Sequence, residues 1–599
     1  MRMRCPLSVL GELDMAWLAG VAWWAIILLI GTTVVADIRK RLPLPLIVAP
    51  AAGIVVLVAL FSLLLIVRQI SWAPLASCIV LAICLLRARQ TIAFSRSASV
   101  AEWRAVALSF TFGLLEILAA SLSRVNEPDL FWAIYKVTLI TPGDSPIALE
   151  QAQYLVHAGQ VINKLDFALF DRTFLGGILS AGALCAFGLC PGETLYSATA
   201  EQQQAYVSLW IMLNSLGILG IWLAVSEIVK KRALIVTALI AATPFVVFNT
   251  MGLWPKFLGL YFCAVGLWLA LRRRPMLAVL ATGMAFFCHG LFLWPHLGLA
   301  FLTALYLLGQ RQAKTAVMVL ATALAVPVAW FGAQFETHSL SPLNFYYLYN
   351  TDVSTALHQP LQSIAQEFYA TTSLGKLAML PLFNAIRLFL PGDLIGAISS
   401  FQLRGNWPNF FRSWYWAEFT CAPLFAGLVL GFLAISGLLA SWSRDIRIAA
   451  AVLLCILMPL VPAAAIYRHD RVVVTVIEFQ VIIPFSMGIA WMIGRFSKAG
   501  LVVTAILVAL ESIAIYVIRA NNFIYLLPIT VIVGIAVLLA VIRPATRERP
   551  VPVWGSEHWR IGIAALSGLS IVALPIVALG VLFVLRDGGL TTLLAKPWF

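Results

Sequence analysis

Charge is what this chain has least of. Only 11% of its 599 residues are Asp, Glu, Lys or Arg, and 62% are apolar. With a mean hydropathy of +0.96, that balance excludes a water-soluble fold. Apolar runs of about 18 residues or more recur from end to end, as transmembrane helices require. Acidic residues are the scarcer sign, 26 against 40 basic, which leaves a net charge of +14. A soluble protein so basic would point to nucleic acid; here Lys and Arg fall in short clusters between apolar runs, where they set orientation, and no nucleic-acid partner is expected. Cysteine is sparse and unpatterned. The nine cysteines show no metal-ligand or redox spacing and read as small core residues. No cleavable signal peptide is expected, because the run from Met15 to Ala36 is of full spanning length and lacks a convincing cleavage site. It is expected to stay as a helix.

The basic clusters order the spans. They lie at Arg39 to Arg41, Arg87 to Arg104, Lys230 to Arg232, Arg272 to Arg274, Arg311 with Lys314, Arg444 with Arg447, Arg495 with Lys498, and Arg543 to Arg549. Placing all of them in the cytoplasm keeps the alternation consistent, with both termini on the other side. The expected fold is an all-α polytopic membrane protein of about 14–16 transmembrane helices. Candidate spans are 15–37, 43–67, 70–86, 104–122, 205–227, 233–249, 257–271, 276–289, 291–308, 315–333, 420–440, 447–466, 472–494, 499–518, 522–542 and 561–585. Counting the apolar run 174–189 as a span would invert every later loop, so it is placed as an interfacial or re-entrant helix pair on the outer surface. Two large extracytoplasmic segments result, 123–204 and 334–419.

Chemistry is expected in those outer segments. A transporter concentrates paired charges and broken helices at the bilayer midplane, related by an internal repeat, and no repeat is visible. Acidic and aromatic residues crowd outside instead. In "ITPGDSPIALEQAQYLVHAGQ", Ile140 to Gln160, the turn at Thr141, Pro142 and Gly143 precedes a helix that Asp144 or Ser145 would cap, Pro146 would open and Gly159 would end. Upstream, "RVNEPDLFW" carries Glu127 and Asp129 just after a span. Near a lipid boundary, partial desolvation raises a carboxylate's pKa and makes it a better base. The plainer alternative is that Asp144 only caps its helix.

A spanning helix, an acidic first outer loop and then "DRTFLGGILSAG", Asp171 to Gly182, together resemble the GT-C superfamily of polyprenyl-phosphate-sugar-dependent glycosyltransferases. "NTMGLWPKFLGLYF", Asn249 to Phe262, and "GMAFFCHGLFLWP", Gly283 to Pro295, are similar to later membrane segments of bacterial members. The likeness runs from about Arg104 to Trp491. It implies a GT-C-like bundle and an inverting transfer in which a first-loop carboxylate deprotonates the acceptor hydroxyl as an isoprenoid phosphate departs. Asp144 matches that role, with Asp129 second. The implied partners are a polyprenyl-phosphate-linked sugar donor, a glycan or lipid acceptor and the bilayer, in a bacterial inner membrane with the active site on its outer face. The chain departs from the pattern in two ways. Three spans, within 1–103, precede the core at 104–333, which is followed by the outer segment 334–419 and the C-terminal helices 420–599. Asp144 also lacks an adjacent acidic partner, so no cofactor or metal ligand is assigned and a divalent cation stays open.

Substrate-binding candidates follow from what a phosphate leaving group needs. Fixed cations hold phosphate through charge-assisted hydrogen bonds, which points to Arg468, His469 and Arg471 in "YRHDRVVV" and to Lys256 in "WPK", expected near the outer surface beside Trp254 as an interfacial anchor. Glu127 and His289 complete the set. The aromatic stretch "RGNWPNFFRSWYWAEF" is read first as an interfacial belt. Two rivals remain: a polysaccharide polymerase or ligase leaning on arginines and histidine, and a transporter or flippase using Glu116, Glu227, Glu478 and Glu511.

Overall fold

A computed structural model describes residues 15–38, 44–123, 130–131, 134, 146–157, 173–192, 198–336, 359, 361–387, 427–461, 479–519, 534 and 563–571. Its helices, in chain order, are α1 (Leu18–Ile38), α2 (Ala49–Ile66), α3 (Ala73–Leu86), α4 (Ala88–Ser97), α5 (Val100–Ser123), α6 (Ile147–Val156) and α7 (Leu175–Ala186). There follow α8 (Ala200–Ser215), α9 (Gly217–Ser226), α10 (Ala233–Ala241), α11 (Pro244–Met251), α12 (Lys256–Leu271), α13 (Pro275–Cys288), α14 (Leu293–Gly309) and α15 (Ala313–Glu336). The remainder are α16 (Leu361–Thr371), α17 (Leu374–Arg387), α18 (Gly427–Ser441), α19 (Ile446–Val452), α20 (Ile482–Ile493) and α21 (Lys498–Arg519). No strand occurs among the described residues. Helix is what a bilayer allows, since each helix satisfies its own backbone N–H and C=O groups where no water can.

Length separates the helices into two kinds. Met15–Ile38, Leu46–Ile66, Val100–Ser121, Ala200–Ser226 and Ala313–Trp330 are long and apolar enough to cross a membrane. Two further pairs qualify only when joined across a bend: Ile70–Leu86 with Ala88–Ser97 at 68°, and Ala233–Ala241 with Pro244–Met251 at 69°. The described residues thus hold five to seven spans by length and composition, short of the expected 14–16. Most other candidates are apolar helices of 10–17 residues, about 15–26 Å at 1.5 Å per residue. Three of them, Lys256–Leu271, Pro275–Cys288 and Leu293–Gly309, begin and end within two residues of the expected spans.

Small residues let the helices approach. A Cβ on Gly31 of α1 would stand 1.7 Å from the Ala49 carbonyl oxygen, and one on Gly53 of α2 would stand 2.1 Å from that of Ile27. Such contacts associate helices in lipid, where apolar burial alone drives little.

The cationic loops meet at one end of the bundle. Glu227, after α9, accepts from Arg272 at 2.6 and 3.3 Å and from the Trp268 indole at 3.1 Å. Arg447 lies 4.0 Å from the same carboxylate, pairs with Asp445 at 2.6 Å and donates to the Glu227 carbonyl. Arg232 donates to the Ile493 and Phe496 carbonyls at 2.6 and 2.9 Å. Arg495 stacks on Trp491, 3.4 Å from its centroid. Four clusters read as cytoplasmic therefore share one side. The start of α2 lies toward that side, tied by Tyr261, whose hydroxyl donates to the Ile47 carbonyl at 2.7 Å and accepts from the Ala51 amide at 3.1 Å.

At the opposite end sits α7. Its Gly182 meets the Phe61 ring near the far end of α2, and its carbonyl at Ala183 accepts from the Trp23 indole at 3.2 Å. The run 174–189 holds this single helix rather than a helix pair; its partner is α6, from the preceding segment. At 12 residues it is about 18 Å long, too short to cross a core about 30 Å thick.

Candidate functional site

Two buried polar regions stand out, one where several helices break and one at the end of the bundle opposite the arginines. The first arises because several helices break at one level. Helix α8 stops at Ser215 and α9 starts at Gly217; α10 and α11 are bent at Ala242 and Thr243; α11 ends at Met251, and Leu253 at φ +59° turns the chain into α12. Phe479 and Gln480 precede α20. These breaks touch: a Cβ on Gly217 would stand 2.5 Å from Phe257, whose ring meets Phe479 at 5.7 Å, while Phe479 meets Phe245 at 5.5 Å. Asn214 donates to the Thr250 carbonyl at 3.3 Å, and Ser109 to the Ser215 carbonyl at 2.8 Å. Gly217 lies about 15 Å along its helix from Glu227 and about 25 Å from Ala200, which sets the node between the two ends of the span Ala200–Ser226.

Lys256 opens α12 at this depth and is 5% exposed. Its ammonium lies 3.7 Å from the Trp254 ring centroid and 4.7 Å from that of Phe479. The expected neighbour, Trp254, is its ring partner, and the lysine is buried rather than solvent-exposed. Asn249 and Thr250 each donate to the carbonyl one turn back at 2.8 Å, and the side-chain oxygens of Asn214 and Asn249 are buried with no hydrogen-bond partner among the described residues. Interrupted backbone at membrane depth is tolerated only where protein or a wet cavity satisfies it.

The outer region is built on α6 and α7. Helix α6 was expected to lie outside the lipid with Asp144 or Ser145 as its cap. Instead Pro146 holds the cap position without a side-chain cap, its carbonyl accepting the amides of Leu149 and Glu150 at 2.8 and 2.9 Å. Every residue from Ile147 to Gln153 is buried. The helix ends at His157, before Gly159, because the His157 imidazole is held by the Pro191 carbonyl at 3.0 Å. Helix α7 is fixed by Trp210, which donates to Ser180 at 3.0 Å, and Thr173 ties the segment to the Phe287 carbonyl at 2.6 Å.

Cys185 and Cys190 are joined in a disulfide, a pairing not expected from their reading as small core residues, although Cys185 is buried in the core. The reversal that brings them together is a glycine C-cap: Gly188 at φ +74°, with Leu189 and Gly188 amides donating to Leu184 and Cys185 at 2.9 and 3.0 Å. Gln202 donates to the Cys190 carbonyl at 2.6 Å, anchoring the loop to the start of α8.

Of the other expected site residues, His289 caps the end of α13 in extended conformation and is 6% exposed; Phe292 donates its amide to the His289 carbonyl at 3.1 Å. His296 is a structural crosslink, bonded to Thr282 at 2.9 Å and to the Ala323 carbonyl at 3.0 Å. Glu127, Asp129, Asp144, Arg468, His469 and Arg471 lie outside the described residues. Of the glutamates weighed for a transport path, Glu227 belongs to the arginine end, and Glu511 accepts the amides of Leu428 and Val429 at the start of α18. Glu116 is wholly buried without a hydrogen-bond partner among the described residues, and Glu478 lies outside them. Among the described residues no group of three His, Cys, Asp or Glu side chains is placed to hold a metal ion.

The sequence reading missed Glu150 and Gln153, both wholly buried in α6. Their i, i+3 spacing was a visible signal of a shared helix face, but the segment drew attention only for its cap. Comparison with known protein families, with curated proteins and with solved structures gives no match.

Proposed function

We propose that the chain is a membrane-embedded, GT-C-like glycosyltransferase that moves a sugar from a polyprenyl-phosphate carrier to a glycan or lipid acceptor beyond the cytoplasm, in the assembly of an envelope polysaccharide. The observation that supports this reading is the polar helix α6, buried at the end of the bundle opposite the arginines and beginning three residues after Asp144. In the reaction, the acceptor oxygen attacks the anomeric carbon, the bond from that carbon to the phosphate oxygen breaks, and the acceptor proton passes to the Asp144 carboxylate. Polyprenyl phosphate leaves with the electron pair. Arg468 and Arg471 are the cations suited to receive its charge.

The test is Asp144→Asn, which keeps the side chain's size and removes its basicity. Folding and carrier binding should persist while transfer falls at least roughly 100-fold, the usual loss for a removed general base. Near wild-type turnover would remove Asp144 from catalysis; if Asp129→Asn were then inactive, the base would move there.

A second reading has its own support. Helix breaks gathered at one depth around Lys256 are the arrangement in which transporters hold substrates. Lys256→Met tests this reading: a transport path loses net movement of a lipid-linked sugar across vesicles, and unchanged movement removes it.

A further inference from the structure

Helix α6 presents two unlike faces. One packs on α7: a Cβ on Gly176 would stand 3.1 Å from Ala148, and one on Gly177 would stand 2.5 Å from Gln151 and 3.2 Å from Leu155. At roughly 100° per residue, Glu150 and Gln153 fall on the opposite side and Tyr154 on the flank between the two faces. Glu150 and Gln153 are both 0% exposed. Neither the oxygen nor the nitrogen of the Gln153 amide has a hydrogen-bond partner among the described residues. Tyr154 stacks with Phe174 at 6.5 Å and 10°, and Phe174 meets Trp330 edge-on at 5.2 Å.

A buried amide with both ends unsatisfied is rare in native structures and asks for a ligand or ordered water. Here it stands one turn from a carboxylate and beside an aromatic wall. The carboxylate accepts hydrogen bonds from hydroxyls, while the amide offers one acceptor and two donors. Vicinal hydroxyls of a pyranose or furanose use such a set, and the C–H face of the ring packs on an aromatic side chain.

We propose that this face of α6 is the sugar subsite, with Gln153 and Glu150 hydrogen-bonding the hydroxyls of the transferred sugar and Tyr154 bounding it. The proposal rests on the transferase reading and goes beyond it by assigning sugar discrimination to particular side chains.

The test measures binding of undecaprenyl phosphate, and of a panel of undecaprenyl-phosphoryl hexoses and pentoses, to the full-length protein in detergent. Wild type should bind at least one sugar-bearing lipid at least ~10-fold more tightly than undecaprenyl phosphate, since a site built to hydrogen-bond hydroxyls discriminates by their presence. Gln153→Met and Glu150→Gln should each abolish most of that preference and leave undecaprenyl phosphate affinity unchanged. Gln153→Met is close in shape and removes an unsatisfied buried amide, so its melting temperature should equal or exceed wild type. Glu150→Gln supplies an independent reading should that variant not fold. A preference that survives in both folded variants overturns the subsite. Binding of undecaprenyl phosphate with no sugar preference in wild type also overturns it while sparing the carrier, and binding of neither lipid brings down the transferase reading itself.

Discussion

Lys256 is held by rings. A cation–π contact contributes about 2 kcal/mol or more when desolvated, and burying an ammonium carries a cost that such contacts help to offset. Lys256→Met should leave the melting temperature in detergent unchanged or raised. A large fall would assign the residue to structure. The arginines of "YRHDRVVV" are expected to behave differently. Arg468→Ala or Arg471→Ala should weaken donor binding by about 1.5–3 kcal/mol, as for a charge-assisted contact, and leave acceptor binding alone. Lys should restore only part of the loss, lacking the planar guanidinium fork. Equilibrium binding of labelled donor checks this, and unchanged affinity in both Ala variants returns the pair to an orienting role.

At the scale of elements, the arginine end works as a clamp joining the ends of α9, α12, α18 and α20. Its most pH-sensitive member is Asp445, which caps α19 and whose carboxyl is held below the usual carboxylate range, chiefly by its hydrogen bonds from Arg447. A carboxylate with a depressed folded pKa stabilises the fold above its unfolded value of about 3.9, and that stabilisation is lost as pH falls through the lower folded value. Thermal melts from neutral pH down to about 3 should show wild type losing stability at the acid end. Asp445→Asn should start lower and lose less; parallel curves would remove Asp445 from the clamp. How legible these elements were depends on what marks their ends. The start of α1 and the ends of α2 and α5 follow apolar runs and were placed within a few residues. The gathered breaks sit inside unbroken apolar sequence, and only Pro244, Gly252 and Pro255 mark them. The disulfide was invisible because a five-residue spacing matches no motif until a glycine reverses the chain.

For the whole molecule, the two ends differ in chemistry. The arginine clamp matches the cytoplasmic side of a membrane protein, and a disulfide forms and persists in an oxidising compartment. Single-cysteine variants Asp166→Cys and Ala200→Cys should both react with an impermeant thiol reagent applied from outside. Labelling of one alone would mean that a true span lies between them. The overall class was legible because bulk hydropathy is a sum over many residues, whereas the two buried polar regions were not, because they depend on where short helices stop. Those stops bear on how the protein is made. Helices α10 and α11, of 9 and 8 residues, reach only about 14 and 12 Å. Neither alone is a favourable passenger for a translocon that tests one segment at a time. They must enter lipid as a packet, sheltered by α8, α9 and α20 already or soon in place. Biogenesis of this region therefore waits on sequence synthesised more than two hundred residues later.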